Sequence, residues 1–196
     1  ILEGARPRFY LSFPITYIRG DPEARGEVDR YRSVMHQKFA AFDPLTMDER
    51  VLKFAKRSGN SAVVEGVDRW LLPPGVKPAV EDEPELYPME IPAEQVEEVL
   101  ADIDNLIRFK DFRYILQSDA VAVYRPFMKK MFHRGVFSEI MYASNTAHKR
   151  VFIYLPHEDL VTGMDSPFGP GVGVVEYEFE KFLAAIERFV ARFSAG

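Results

Sequence analysis

Three runs of the sequence are short and almost wholly apolar: Phe9 to Ile15, Ala120 to Tyr124 and Val151 to Leu155. A strand wetted on one face alternates apolar and polar residues, whereas a strand covered on both faces does not. Runs of this kind therefore demand a layer on each side of the sheet, and the segments between them supply it. Asp21-Pro22 provides a helix N-cap with proline at the first helical position. Ala24, Val28, Tyr31, Met35 and Phe39 follow at the spacing of one helix face. A second helical stripe runs through Val96, Val99, Leu100, Ile103, Leu106 and Ile107. A third lies in Gly135 to His148, with Val136, Ile140 and Ala143 on one side. The last runs from Val175 through Phe179, Phe182, Leu183, Ile186 and Phe189 to Phe193. Phe39 to Phe42 reads as a further short strand. The order is strand, helix, strand, insertion, helix, strand, helix, strand, helix. It predicts an α/β fold, a small doubly wound (flavodoxin- or Rossmann-like) parallel sheet with helices on both faces. Ligands of such sheets bind at the carboxyl ends of the strands, so a site is expected just after Ile15, Phe42, Tyr124 and Leu155.

Residues 44–92 interrupt the pattern. They hold Pro73, Pro74, Pro78, Pro84, Pro88 and Pro92, the sole tryptophan Trp70, and the acidic run Glu81-Asp82-Glu83. Proline at this density excludes long helices and central strands. The segment reads as an insertion in a single α/β domain of residues 1–196, with a short helix near 47–57 and then an extended excursion. It follows the second strand at the ligand-binding edge, so it is expected to pack over the strand ends as a partial lid with Trp70 as its anchor. The chain opens on Ile1 rather than methionine, which is the expectation for the C-terminal part of a longer protein.

Charge and composition remove several function classes. Against 30 Asp+Glu stand 25 Lys+Arg, a formal net charge of −5, so a nucleic-acid polymer is not an expected partner. The absence of cysteine excludes disulfides, thiolate nucleophiles and thiolate zinc sites. His36, His133, His148 and His157 show no ligand-pair spacing, and neither a metal nor a cofactor is expected. No apolar run is long enough to span a bilayer and no signal-peptide pattern opens the chain, so a cytoplasmic protein without a membrane partner is expected, with a homo-oligomer left open. Neither a phosphate-binding Gly-x-x-x-x-Gly-Lys-Ser/Thr loop nor a Gly-x-Ser-x-Gly elbow occurs.

The segment after the third strand carries most of the remaining chemistry. Glu139 falls in the first turn of the Gly135 helix, where the macrodipole favours an ionised carboxylate. It either complements the dipole and does nothing more, or acts as a nucleophile on an anomeric carbon. Asp119 leads into the strand and reads as a turn or capping residue or as a participant in the site. Tyr10 and Ser12 share one face of the first strand, and Asp43 closes the second. Arg125, Lys129, Lys130, His133 and Arg134 gather basic side chains just before the helix, either as solvated loop charge or as a site for a phosphate.

The order of these residues resembles the nucleoside 2-deoxyribosyltransferase-like superfamily, which includes nucleoside deoxyribosyltransferases and nucleotide N-glycoside hydrolases. Tyr10-Leu11-Ser12-Phe13-Pro14-Ile15 approximates the family's opening strand Tyr-Leu-Ala-Gly-Pro-Ile, with Phe13 in place of glycine. Ser118-Asp119-Ala120-Val121-Ala122-Val123 is similar to its Ser/Ala-Asp-hydrophobic strand. Gly135, Glu139, Ile140 and Ala143 match its Gly-x-x-x-Glu-hydrophobic-x-x-Ala helix. The likeness covers residues 9–16 and 115–155. It implies cleavage or transfer of the N-glycosidic bond of a small-molecule nucleoside or nucleotide. Glu139 would be the nucleophile, Asp119 would position the nucleoside or shuttle the proton, and Tyr10 would orient the nucleophile. Ser12, Asp43, Gly135 and Ser138 are then expected to line the substrate, and Arg125, Lys129, Lys130 and Arg134 to meet a 5′-phosphate. The alternative is a nucleotide-binding or regulatory domain without turnover.

Overall fold

A computed structural model describes residues 7–18, 21–47, 56–58, 61–64, 89–162, 167–169 and 171–193. In chain order its elements begin with β1 (Arg8–Ser12), α1 (Ile15–Ile18), α2 (Pro22–Lys38), β2 (Ala40–Phe42), β3 (Lys56–Ser58), β4 (Ser61–Val64) and β5 (Met89–Pro92). They continue with α3 (Ala93–Gln117), β6 (Ala120–Tyr124), β7 (Phe127–Met128), β8 (Met131–Phe132), α4 (Arg134–Met141), β9 (Arg150–Tyr154), β10 (Val174–Glu176) and α5 (Phe179–Phe193). The chain divides into two units, Ile1–Asp43 with Phe112–Gly196, and Pro44–Asp111.

The first unit is built on a five-stranded, all-parallel sheet in the order β10-β9-β6-β1-β2. Successive side chains of a strand point to opposite faces, and each face has its own cover. Tyr10, Val121, Val123, Val151 and Ile153 join one buried cluster with Val136 and Ile140 of α4 and Ile115 of α3. The alternate residues meet α2 and α5: Phe9 packs on Phe39 and Phe189, Tyr124 stacks on Tyr31, and Tyr154 packs on Phe179. This is why every residue of β6 is buried and why its sequence carries no alternation. The fold is the doubly wound α/β arrangement that the apolar runs predict. The helix α2 forms where its Asp21 cap is: the Asp21 carboxylate accepts from the Ala24 amide at 3.0 Å, and Val28, Tyr31 and Met35 bury one face. Each such fully buried apolar side chain stabilises the unit by about 1.5–3 kcal/mol.

Several local expectations need correction. Val175 belongs to β10, and the last helix starts only at Phe179; hydrogen bonding to the edge of β9 wins over helical spacing there. Pro44–Met47 is a single 3-10 turn and Lys56–Ser58 is a strand, and residues 48–55, the body of the helix expected near 47–57, lie outside the described residues. After Met141 the helix ends in a π-helical turn, Tyr142–Thr146. The glycine-punctuated loop before β10 contains one position where only glycine fits: a Cβ on Gly173 would lie 2.5 Å from the Val151 carbonyl oxygen. Gly173→Ala is therefore expected to destabilise the sheet edge by about 1–3 kcal/mol, readable as a lowered thermal midpoint, and an unchanged midpoint would refute the close approach.

The second unit contains an antiparallel sheet in the order β3-β4-β5, and α3 runs from this unit into the first. Residues 65–88, including Trp70 and Pro73, Pro74, Pro78, Pro84 and Pro88, lie outside the described residues, and the lid expectation with them. Among the described residues, no helix is long and apolar enough to cross a membrane.

Candidate functional site

The sheet has one topological switch point. From β1 the chain moves outward through α2 to β2, and it later returns to β6 on the other side of β1, continuing through α4 to β9. A crevice outside the carboxyl ends of β1 and β6 is where this fold takes ligands. Ser12 ends β1 at that edge and is fully buried. Glu139 is the sixth residue of α4, not in its first turn as expected, and sits one residue before the buried Ile140 at the border of the helix's core face. The Ser12 hydroxyl donates to the Glu139 carboxylate at 2.5 Å, a contact across 127 residues of sequence. A charge-assisted bond of this kind holds the carboxylate in one orientation. Tyr10, two residues earlier on the same face of β1, is fully buried in the cluster beneath α4. Phe13, where the resembled family has glycine, turns away from this face: its ring meets Tyr31 of α2 edge-on at 6.2 Å.

The loop from β6 to α4 is a strap rather than an open phosphate loop. β7 and β8 pair as a hairpin, and its two turn residues, Lys129 and Lys130, both have positive φ (48° and 63°). Positive φ at both central residues is the type I′ geometry that matches the twist of a two-residue hairpin. Arg125, at the base of the strap and itself at φ 45°, is engaged by three carboxylates. Its Nε and Nη2 donate to Asp159 at 2.6 and 2.7 Å, its Nη1 to Glu27 at 2.6 Å, and its Nη2 also to Glu158 at 3.2 Å. Burial alone would pull the guanidinium pKa down; the hydrogen bonds and charge of Asp159, with Glu27, more than reverse this and hold it above its ordinary value. Asp159 also accepts from the Lys129 amide at 3.0 Å. The Lys129 ammonium donates to Asp21 at 2.6 Å, a bond that lowers the Asp21 pKa. Glu23, Glu27, Glu158 and Asp159 surround Arg125 and Lys129 in a cleft of about 270 Å³. Four carboxylates against two cations make this cleft unfit for a phosphate. Arg125 and Lys129, expected to meet a phosphate, are here paired with carboxylates. Lys130 and Arg134 remain exposed.

Other expected site residues are dispersed. Asp119 stands at the amino edge of the sheet, where it accepts from the Arg8 amide at 2.7 Å and lies 3.5 Å from the Arg8 guanidinium. The register pairs Phe9 with Ala120 and Ser12 with Val123, so Asp119 is four residues, roughly 13 Å, from the Ser12 edge. It does not share a centre with Glu139. Asp43 is buried and committed to α2, accepting from Arg32 Nε at 2.7 Å and lying 3.0 Å from His36 Nε2. His36 is thus partly buried against the Asp43 carboxylate. Ser138 donates to the Arg134 carbonyl of its own helix at 3.0 Å, and Gly135 is exposed on the first turn of α4.

One feature escapes sequence reasoning. Asp159, the organiser of the strap, follows Leu155 at the strand end where a site was expected, but no motif marks it. His133, the N-cap position of α4, packs its ring on Tyr17 of α1 at 5.3 Å. Among the described residues, no group of three or more His, Asp or Glu side chains is placed to hold a metal ion. No protein-family model and no curated protein matches the sequence.

Proposed function

We propose that this chain cleaves or transfers the N-glycosidic bond of a nucleoside or nucleotide, with Glu139 as the nucleophile. The supporting observation is the Ser12–Glu139 hydrogen bond at the carboxyl edge of the switch point, which presents an oriented carboxylate where doubly wound sheets bind small molecules. Glu139 attacks C1′, the base departs, and water or a second base resolves the glycosyl-enzyme. Ser12 is the positioning residue. Asp119 has no part in this centre, given its pairing with Arg8 at the other edge. The test is incubation with ribo- and 2′-deoxyribonucleosides and their 5′-monophosphates, with chromatography for free base and mass spectrometry for a pentosyl adduct on Glu139. Free base together with the adduct is the expected result; neither product from any substrate refutes the reading.

With Arg125 and Lys129 committed to carboxylates, a 5′-phosphate would fall to Lys130 and Arg134. A K130Q/R134Q double variant is then expected to weaken a monophosphate about tenfold more than the corresponding nucleoside, with a difference that shrinks as salt is added. Equal weakening of both ligands would return the two side chains to solvated surface. The distance of Asp119 from Glu139 favours a second reading, a module that binds a nucleotide without turnover. Calorimetric binding with no base released over a day would select it.

A further inference from the structure

We propose that His133 is a second catalytic residue of the Glu139 centre, the group that gives a proton to the departing base and takes one from the water that follows. The proposal rests on the glycosidic reading above. Two contacts join the end of β1 and the helix after it to α4 and its N-cap position. One is the Ser12–Glu139 hydrogen bond, and the other is the packing of Tyr17 on His133. Along α1 and its approach the two are five residues apart, and along α4 they are six, about 9 Å of helix rise. The two contacts place a carboxylate and an imidazole on the carboxyl side of the switch point. Asp119, the proton carrier that the sequence suggests, stands at the opposite edge. A Glu139 centre therefore needs another acid, and His133 is the imidazole held against the same segment by Tyr17.

The His133 ring is not spent elsewhere. It makes no side-chain cap bond to α4. Its Nε2 is buried without a hydrogen-bond partner among the described residues. A buried polar atom left in this way calls for an explanation, and a catalytic role is one. Tyr17 faces the ring from α1, and the Asp159 carboxylate acts on it from the loop after β9. Burial lowers the imidazole pKa and the Asp159 charge opposes the shift only in part.

The protons balance over one turnover. Glu139 attacks C1′, the C1′–N bond breaks with its electron pair passing to the base, and the His133 imidazolium protonates that nitrogen. The neutral imidazole then takes a proton from water as the water oxygen bonds to C1′ and the C1′–O bond to Glu139 breaks. Carboxylate and imidazolium are both restored. Because the acid form is needed first, kcat/KM for base release is expected to fall as pH rises through the lowered imidazole pKa, from an ordinary value near 6.5.

Two leaving groups isolate this role. A purine nucleoside needs a proton to depart, whereas the 4-nitrophenyl glycoside of the same pentose releases its phenolate unprotonated. His133→Gln is expected to lower base release about a hundredfold or more relative to nitrophenolate release, and to remove the acid-dependent limb of the pH profile. Equal losses on both substrates, with the limb retained, overturn the proposal while leaving Glu139 as nucleophile. The wild-type profile is decisive without any variant, since base release that is flat from about pH 5 to 8 also overturns it. A wild-type protein that releases neither base nor nitrophenolate refutes the glycosidic reading itself, and the proposal with it.

Discussion

Glu139→Gln is expected to abolish base release, by roughly four to six orders of magnitude, the scale on which removal of a covalent nucleophile is felt. The glutamine amide keeps the shape of the side chain, and its carbonyl oxygen can still accept from the Ser12 hydroxyl, so the crevice and the fold remain. What disappears is the negative charge that bonds to C1′. Ser12→Ala is expected to act through the same carboxylate but more weakly. Loss of one hydrogen bond to a charged group is worth about 1.5–3 kcal/mol, or roughly a tenfold to hundredfold drop in kcat/KM. The two variants together form a cycle: in the Glu139→Gln background, Ser12→Ala should cost little more, because its partner has already lost its function. Turnover by Glu139→Gln close to that of the wild type would remove Glu139 from the reaction. Additive losses would show that Ser12 acts on something other than Glu139.

The sheet was legible because its physics is local. An uninterrupted apolar run of five residues such as Ala120–Tyr124 can be stable only when covered on both faces, and α2 and α4 announce themselves by spacing. The failures came where tertiary contacts overrule local pattern. Val175 has helical spacing to Phe179, but the exposed edge of β9 recruits it as a strand. The strap was read as a basic loop because periodicity says nothing about a two-residue hairpin turn whose φ angles are set by lysines rather than glycine.

The candidate site was legible only in part, for a related reason. Glu139 and Ser12 lie on elements whose positions follow from the topology, and their meeting is a consequence of parallel register. Arg125 shows the opposite case. Its charge is visible in the sequence, but its commitment depends on Glu27, Glu158 and Asp159 arriving from two other segments. Local sequence cannot distinguish a guanidinium waiting for a phosphate from one already neutralised. Asp119 is a similar case: the motif that it resembles sets it just before β6 but not which end of the sheet the chemistry uses.

Asp43 offers the sharpest contrast between a site residue and a structural one. Its carboxylate is wholly enclosed, the Arg32 side chain that meets it is 1% exposed, and His36 lies against the same oxygen. A buried charge of this kind is tolerable only while paired. Asp43→Ala is expected to leave Arg32 with its partly exposed partner Asp29 as the remaining carboxylate at hand, at a cost of about 3 kcal/mol, the low end for breaking a buried pair. For a chain of this length the melting midpoint should then fall by roughly 6–12 °C. Replacing both partners, Arg32→Met with Asp43→Leu, should recover most of the loss, because an apolar pair of similar volume removes the desolvated charge altogether. A residue that served only to bind substrate would behave differently. Asp43→Ala would then leave the midpoint where it was and raise KM, and the double variant would rescue nothing.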